Sequence, residues 1–423
     1  MTGPAAAWVR SRWRGLLAKL RSPRVIVAEV LAIGAASALG ALLPQVGADA
    51  SALTDVSPRL ATLIHLAALD RVFQSAWFLA LVLLALASLT VTQIDQWRRV
   101  ARTWAAPVDV SHFASAQHRR VLTRTTRGAA SRRVRTEGRV GLLGSPLFHL
   151  GLVVLTIAGL VTMLASRDAV VDLFEGETLE AEPGAFGAQW GGALSSPLRL
   201  PARLRVDRLR VERYPSGELK GLVANATLES GRVVNVGVNE PLELGGVDFH
   251  LTPVVGPTAM LELSGPAGIA GRAVVLRPSA DEGYSAVATL EGGLETRVWT
   301  RDGADEIELR VLRGPALLFA GRLSAGSATT LASGERISLH SLRPWARFTA
   351  SRNPATPLIW LGVLLIVVGA VVMVTVVRVD TAVVTTPTDA GEEVLVALRA
   401  QRHPALFAYK FERLVAACAR GGT

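Results

Sequence analysis

The chain has 423 residues, of which half are hydrophobic and only 19% are charged. Soluble globular proteins carry about a quarter charged residues, so this composition favours a membrane protein. The single cysteine excludes a disulfide scaffold, a cysteine-based zinc site, an iron–sulfur cluster and a haem attached to this chain through a CxxCH motif. The net charge of +10 would suit nucleic acid, unless the positions of the basic residues have another explanation.

The N-terminal segment, residues 1–24, holds six basic residues and no acidic one. Its large apolar side chains recur at helical spacing, at Val9, Trp13, Leu16, Leu17 and Leu20. This pattern is typical of a basic amphipathic helix that lies on an anionic inner leaflet. A helix packed against another cytoplasmic segment would show the same pattern, and the sequence leaves both interpretations open.

Four segments are apolar and close to the roughly 20 residues that a helix needs to cross a bilayer. They are residues 25–43, 76–92, 146–165 and 358–377. No convincing signal-peptidase site follows the first, so we expect it to be retained. The sequence therefore predicts an integral membrane protein with four transmembrane α-helices. Small residues within the spans favour close helix packing; they are Ala32, Ala36, Gly40, Gly151, Gly159, Gly362 and Gly369.

Charge predicts the orientation of the spans because short cytoplasmic loops collect Lys and Arg. Residues 93–145 carry eleven Arg against three acidic residues, whereas residues 44–75 have a net charge of −1 and residues 166–357 a net charge of −3. We therefore expect segments 1–24, 93–145 and 378–423 in the cytoplasm of a bacterial cell, and segments 44–75 and 166–357 outside its membrane. Both termini are then cytoplasmic. The basic excess is explained by topology, without a nucleic acid.

Residues 166–357, between the third and fourth spans, are predicted to form a large β-rich extracytoplasmic domain. Short runs of partly alternating apolar residues are separated by Gly and Pro turns, which indicates antiparallel sheets in a sandwich-like or irregular arrangement. The predicted strands are residues 204–211, 221–228, 233–238, 247–254, 273–276, 286–290, 306–312 and 336–342. Nothing in this region points to an enzyme site.

Two ionisable residues, Glu29 and His149, lie within the predicted spans, where such residues are costly and are functional candidates by default. His149 lies one turn inside the third span, and Glu29 lies at a similar depth in the first, so the two side chains could meet. His149 could then offer a neutral imidazole nitrogen to a haem iron while Glu29 holds the other N–H. The alternatives are a histidine solvated by water or headgroups, and a glutamate that snorkels or pairs with Arg21 or Arg24.

Six short stretches are arranged in a recognisable order along the chain. They are residues 37–45, 72–78, 146–151 with the histidine, 238–242 followed by Gly246 and Phe249, 353–362, and 407–415. In this order, with three spans, a long outer domain and a fourth span, the chain resembles the ResB-like (CcsB) proteins of system II cytochrome c biogenesis over nearly its whole length. It departs from them at Glu240, where a histidine is expected, and at Asn353 and Ala355, which replace Asp and Gly.

This resemblance implies a membrane subunit that works with a CcsA/ResC-like haem-handling partner, carries haem outward and presents it to the CxxCH motifs of apocytochromes c. It implies that His149 is an axial ligand of a transient haem b that is held in the complex with the partner, and thiol-reducing proteins of the pathway act only indirectly. The chain would be an accessory subunit of a haem-attachment (synthetase) complex, with no catalytic residue of its own. The alternative is a four-span scaffold that presents an extracytoplasmic β binding domain without haem.

Overall fold

The computed structural model describes residues 12, 15–43, 45, 57–126, 129–266, 268–279 and 283–420. Val9 and Trp13 of the predicted amphipathic helix lie outside the described residues, whereas residues 15–20 are helical. The described residues form two compact units. The helical unit contains those up to residue 161 and from residue 355, and the β unit contains residues 162–354.

The helices are α1 (Pro23–Leu42), α2 (Pro58–Leu66), α3 (Ala76–Ala105), α4 (Gly144–Ala165), α5 (Thr356–Thr375) and α6 (Ala408–Ala419). Four of them, α1, α3, α4 and α5, are long and apolar enough to cross a membrane, so the prediction of four apolar helices is confirmed. Little of their apolar surface is buried inside the protein. Most large side chains of α5 are exposed, as lipid-facing side chains would be; they include Trp360, Leu364, Val367, Val371 and Val374.

Helix α3 is 30 residues long and continues well beyond the predicted span 76–92. The hydroxyl of Ser75 caps its first turn by accepting a hydrogen bond from the backbone N–H of Phe78 at 3.3 Å. Residues 93–105 contain no Gly or Pro, so nothing breaks the helix until Pro107 approaches. The apolar run determines the predicted span, whereas helix propensity determines where the helix ends.

The strands were not all expected, and their bounds are β1 (His118–Arg124), β2 (Ser131–Glu137), β3 (Arg167–Phe174), β4 (Thr178–Leu179), β5 (Ala188–Gly191), β6 (Leu204–Arg213), β7 (Leu219–Leu228), β8 (Val233–Gly237), β9 (Leu242–Leu244), β10 (Val247–Gly265), β11 (Gly268–Val275), β12 (Arg277–Ser279), β13 (Gly283–Leu290), β14 (Leu294–Thr300), β15 (Glu306–Arg313), β16 (Ala316–Ser324), β17 (Ser327–Thr330), β18 (Arg336–Arg352), β19 (Val379–Thr388) and β20 (Gly391–Ala400). Each strand predicted from the sequence overlaps one of these, and the prediction of a large β-rich region is confirmed.

Three antiparallel sheets form the β unit, in the orders β11-β10-β18-β3-β5, β12-β13-β14-β15-β16 and β4-β6-β7-β8. Strands β10 and β18 are unusually long and pair with each other, with a register shift between Leu251 and Val255. One end of β10 contributes Phe249 and Leu251 to one hydrophobic core, and the other end contributes Leu261 to a second. This long strand pair therefore runs through both cores of the unit.

A fourth sheet, in the order β1-β20-β19-β2, belongs to the helical unit and was not identified from the sequence. Helix α6 covers one face, where Phe411, Val415 and Cys418 are buried at helical spacing against β20 residues such as Val396. On the other face Phe113 is buried beside alanines of β19 and β20. We call β1, β2, β19, β20 and α6 the sheet module. It joins the segments 93–145 and 378–423, which the sequence analysis treats only as a loop and a tail.

Candidate functional site

Helices α4 and α5 approach each other closely along the N-terminal half of α4, within the helical unit. Gly369 of α5 lies so close to α4 that an added Cβ would be 2.3 Å from the backbone nitrogen of Phe148. Gly362 lies against Leu155, and Gly151 lies against Ile366 and the Gly362 carbonyl. Later residues of α5 contact earlier residues of α4, so the two helices are antiparallel. A Cβ at these glycines would overlap the neighbouring helix, so only glycine allows this approach.

Four of the five glycines expected to pack closely do so: Gly151, Gly362 and Gly369 at this contact, and Gly40 of α1 against the ring of Phe73. Gly159 does not, because no described atom lies within 4 Å of the position that its Cβ would take. Gly144, which the sequence analysis missed, is in tight contact with the backbone of Met373. The contact zone is thus the N-terminal part of α4, which carries His149.

His149 is half-buried in the second turn of α4. Its Nδ1 lies 2.8 Å from the carbonyl oxygen of Ser145, four residues earlier on the same helix. A carbonyl can only accept, so Nδ1 carries the proton. Nε2 is the other ring nitrogen and has no hydrogen bond to any described residue. A neutral imidazole in this tautomer presents an unprotonated Nε2, which is the form that binds a metal.

Glu29 is almost completely buried on α1 and accepts a hydrogen bond from the hydroxyl of Ser88 on α3 at 2.9 Å. Nearer the start of α1, the Arg21 Nε lies 2.6 Å from the Asp95 Oδ2. These two contacts show that α1 and α3 pack in opposite directions. The sequence analysis did not identify Ser88, because a serine in an apolar run gives no sign of what it faces.

The structure does not join Glu29 to His149 by a hydrogen bond, since each side chain has the partner just described. Helix α3 forms hydrogen bonds both with Glu29 of α1 and with the first turn of α4. Its Gln93 donates a hydrogen bond through Nε2 to the Pro146 carbonyl of α4 at 2.8 Å. The Gln93 Oε1 is buried without a partner among the described residues. The role of Glu29 beside His149 therefore stays a prediction.

A histidine–carboxylate pair lies in the helical unit, in the segment between α1 and α3. The Nδ1 of His65 lies 2.8 Å from Oδ2 of Asp70, which is 1% exposed, whereas the His65 side chain is 68% exposed. The pair ties α2 to the 3₁₀ turn Leu69–Gln74. Between them Ala68 has a left-handed backbone with φ of 52°. The sequence analysis missed this pair, because a five-residue separation across an irregular turn has no recognisable spacing.

Within the described part of the chain, no group of three or more His, Cys, Asp or Glu side chains could hold a bare metal ion. A haem requires less from the protein, because the porphyrin supplies four of the iron ligands and one imidazole is enough for an axial position. His149, with its proton held on Nδ1, fits that requirement.

Comparison with known proteins identifies relatives over most of the chain. The model of a family described as the ResB-like family matches residues 24–263 and 280–412. The chain is similar to a protein named cytochrome c biogenesis protein CcsB from Synechococcus sp. (strain CC9902), with 25% identity over 406 residues that cover 84% of this chain and 87% of that protein. It is also similar to the protein of the same name from Synechococcus elongatus, with 24% identity over 353 residues, 72% of this chain and 70% of that protein.

Proposed function

The chain belongs to the ResB-like family, and we propose that it is a membrane subunit of the system II cytochrome c maturation complex. In this role it helps a CcsA/ResC-like partner to carry haem across the bacterial cell membrane and to present it for attachment to the CxxCH motifs of apocytochromes c. The names of its relatives support a role in cytochrome c biogenesis.

The proposed topology places both termini in the cytoplasm and residues 166–357 outside. The sheet module supports it, because β1 and β2 come from segment 93–145 and β19 and β20 from segment 378–423. Strands that share a hydrogen-bonded sheet must lie on the same side of a bilayer, and these two segments are the ones that the charge distribution assigns to the cytoplasm. The chain between α4 and α5 must then lie on the opposite side.

The observation that carries the haem proposal is the hydrogen bond from His149 to the Ser145 carbonyl. This hydrogen bond holds the ring proton on Nδ1 and leaves Nε2 for the iron. The Ser145 carbonyl thus holds the ring N–H that Glu29 was expected to hold. Consecutive spans run antiparallel. Ser88 precedes Gln93 on α3 and His149 follows Pro146 on α4, so both residues are displaced from the Gln93–Pro146 contact in the same direction along the membrane normal. At 1.5 Å per residue, Ser88 is about 7.5 Å from Gln93 along α3, and His149 about 4.5 Å from Pro146 along α4. Glu29 and His149 are therefore at similar depths.

The deciding experiment measures haem and holocytochrome c in cells that express the full chain with its haem-handling partner. We expect His149→Ala to remove most of the haem that purifies with the complex and to lower holocytochrome c, with partial rescue by added imidazole. His250→Ala, in β10 of the β unit, is the matched control and should change neither. Normal haem content and normal maturation in His149→Ala would refute axial ligation and favour the haem-free scaffold.

A separate pair of variants tests Glu29. Glu29→Gln keeps an oxygen that can accept from Ser88, so it removes the charge with little change in packing. If the carboxylate acts on the haem site, Glu29→Gln should weaken haem retention while Ser88→Ala leaves it nearly unchanged. Unchanged haem spectra in both variants would limit Glu29 to the packing of α1 against α3.

A further inference from the structure

A cavity of about 230 Å³ lies in the helical unit, beside the sheet module. Thr103 near the end of α3 and Leu142 just before α4 line one part of it. Arg378, which directly precedes β19, Arg399 of β20 and His112 line another part. We call it the basic cavity. Neither the sequence analysis nor the haem proposal gives it a role.

Arg378 is 92% buried, which is unusual for a cation. Its Nε lies 3.1 Å from Oδ2 of Asp380, but its two terminal nitrogens form no hydrogen bond with any described residue. Neither terminal nitrogen is both fully buried and unpartnered, so each retains some solvent-accessible surface. Since Arg378 lines the basic cavity, its free N–H groups are available there.

Arg399 is half-buried, and its Nη1 donates to the His112 carbonyl at 3.0 Å and lies 3.3 Å from the His112 Nδ1. An arginine can only donate, so the His112 Nδ1 accepts, which places the ring proton on Nε2. That Nε2 lies 3.4 Å from Oδ2 of Asp380. Asp380 lies opposite Arg399 in the register of β19 and β20, but among the described residues no carboxylate oxygen lies within 4 Å of the Arg399 guanidinium.

Of the described residues that line the cavity, only Asp380 is acidic, and its oxygens are already engaged. The hydroxyl of Thr136 donates to its Oδ1 at 2.7 Å, and Arg378 and His112 approach its Oδ2. Two guanidinium groups against one carboxylate leave an excess of one positive charge in a partly buried space. Planar guanidinium forks match the geometry of carboxylate and phosphate oxygens.

We propose that the basic cavity binds an oxyanion, a carboxylate or a phosphate group, through Arg399 and the terminal nitrogens of Arg378. Two sources have this chemistry: the carboxylates of haem, and the phosphate of an anionic lipid or of the cytoplasm. Leu142 is seven residues before His149, so the cavity adjoins the start of the helix that carries the proposed haem ligand. The haem source rests on the proposed function, whereas the oxyanion site does not.

The test titrates the purified full chain with inorganic phosphate by calorimetry, with chloride at equal ionic strength as the blank. A charge-assisted hydrogen bond predicts that Arg399→Gln weakens phosphate binding about 10- to 100-fold. Arg133→Gln removes an equal charge at an exposed position of β2 that does not line the cavity, and it should bind phosphate like the wild type. Absence of phosphate binding to the wild type, or equal affinity in Arg399→Gln, would overturn the proposal.

A second variant guards against misfolding of Arg399→Gln. Thr103 is exposed on α3 at the rim of the cavity, so Thr103→Glu adds a negative charge there without disturbing the arginines. It should weaken phosphate binding relative to its neutral counterpart Thr103→Gln. Equal affinities in these two variants would also contradict the proposal.

The source is identified by comparing haem with haem dimethyl ester, which lacks free carboxylates. If Arg399→Gln weakens retention of haem but not of the ester, the anion is a haem carboxylate. If it weakens binding of short-chain phosphatidylglycerol in micelles and leaves haem retention unchanged, the anion is a lipid phosphate. A wild-type chain that binds phosphate but no haem, even with its partner, would refute the proposed function while supporting the oxyanion site.

Discussion

The contact between α4 and α5 leads to a prediction that separates helix packing from helix propensity. Gly369→Ala adds a Cβ that would lie 2.3 Å from the backbone nitrogen of Phe148 and 2.8 Å from its Cα. Ordinary contact begins at about 3.4 Å, and a backbone atom cannot rotate away as a side chain can. The two helices must therefore separate locally by about 1 Å, which forfeits a quarter to a half of the dispersion energy of the atoms that face each other.

Overpacking of this kind costs about 1–3 kcal/mol. Replacing a helical glycine by alanine also gains up to about 1 kcal/mol of helix propensity, which would hide part of the loss. Gly159→Ala is the matched control, because it makes the same change on α4 where the new Cβ meets no described atom within 4 Å. The difference between the two variants removes the propensity gain that they share and isolates the contact.

The assay is the unfolding of the detergent-purified chain as sodium dodecyl sulfate is added, followed by circular dichroism, together with the haem content of the complex with its partner. We expect Gly369→Ala to be less stable than Gly159→Ala by about 1–3 kcal/mol. We also expect it to lose haem, because His149 is adjacent to Phe148. Equal stability of the two variants would refute the close approach of α4 to α5.

Three further predictions concern the sheet module and the β unit. A hydrogen bond from Lys410 holds the pKa of Glu137 below its usual value. The ionised carboxylate therefore stabilises the folded state above about pH 4.5, and this contribution is lost as the pH falls through the lowered pKa. Glu137→Gln should lower the melting temperature at pH 7 but not in strong acid, and an equal loss at both pH values would contradict this. Burial raises the pKa of Asp168 above its usual 3.8, so ionisation of this carboxyl costs more in the folded state than in the unfolded state and lowers stability as the pH rises through the raised pKa. Asp168→Asn should therefore raise the melting temperature at pH 7 and give no gain well below pH 3.8, and a gain that is independent of pH would refute the assignment. Trp345 is fully buried and donates from its indole Nε1 to the Leu276 carbonyl at 2.8 Å, so Trp345→Phe should cost about 2–3 kcal/mol in chemical denaturation, and a loss well under 1 kcal/mol would contradict that role.

The four long apolar helices and the strands of the β unit could be predicted because their signals are local. A helix that crosses a bilayer needs a long apolar run, and a half-buried strand needs alternation, so both patterns are visible in a short window. The functional candidate His149 was also visible, since a histidine inside an apolar run is rare enough to attract attention.

The sheet module could not be predicted in the same way. Thr136 and Asp380, which are hydrogen-bonded across β2 and β19, are 244 residues apart in the chain. The strand β1 carries three arginines among seven residues, which is typical of a charged loop. Its pairing with β20, from the other end of the chain, is visible only in the folded structure. The charge of these segments predicts where they lie, but not that they fold together.

The sequence by itself determined the four apolar helices, the large β-rich region and the family to which this chain belongs. Only the tertiary structure decided which polar group faces which: Ser88 faces Glu29, the Ser145 carbonyl faces His149, and Arg378 and Arg399 line the same cavity as Asp380. The physical reason is that transfer into a bilayer depends on the composition of a segment. Hydrogen bonds and ion pairs depend instead on the positions of two groups that the chain brings together only when it folds.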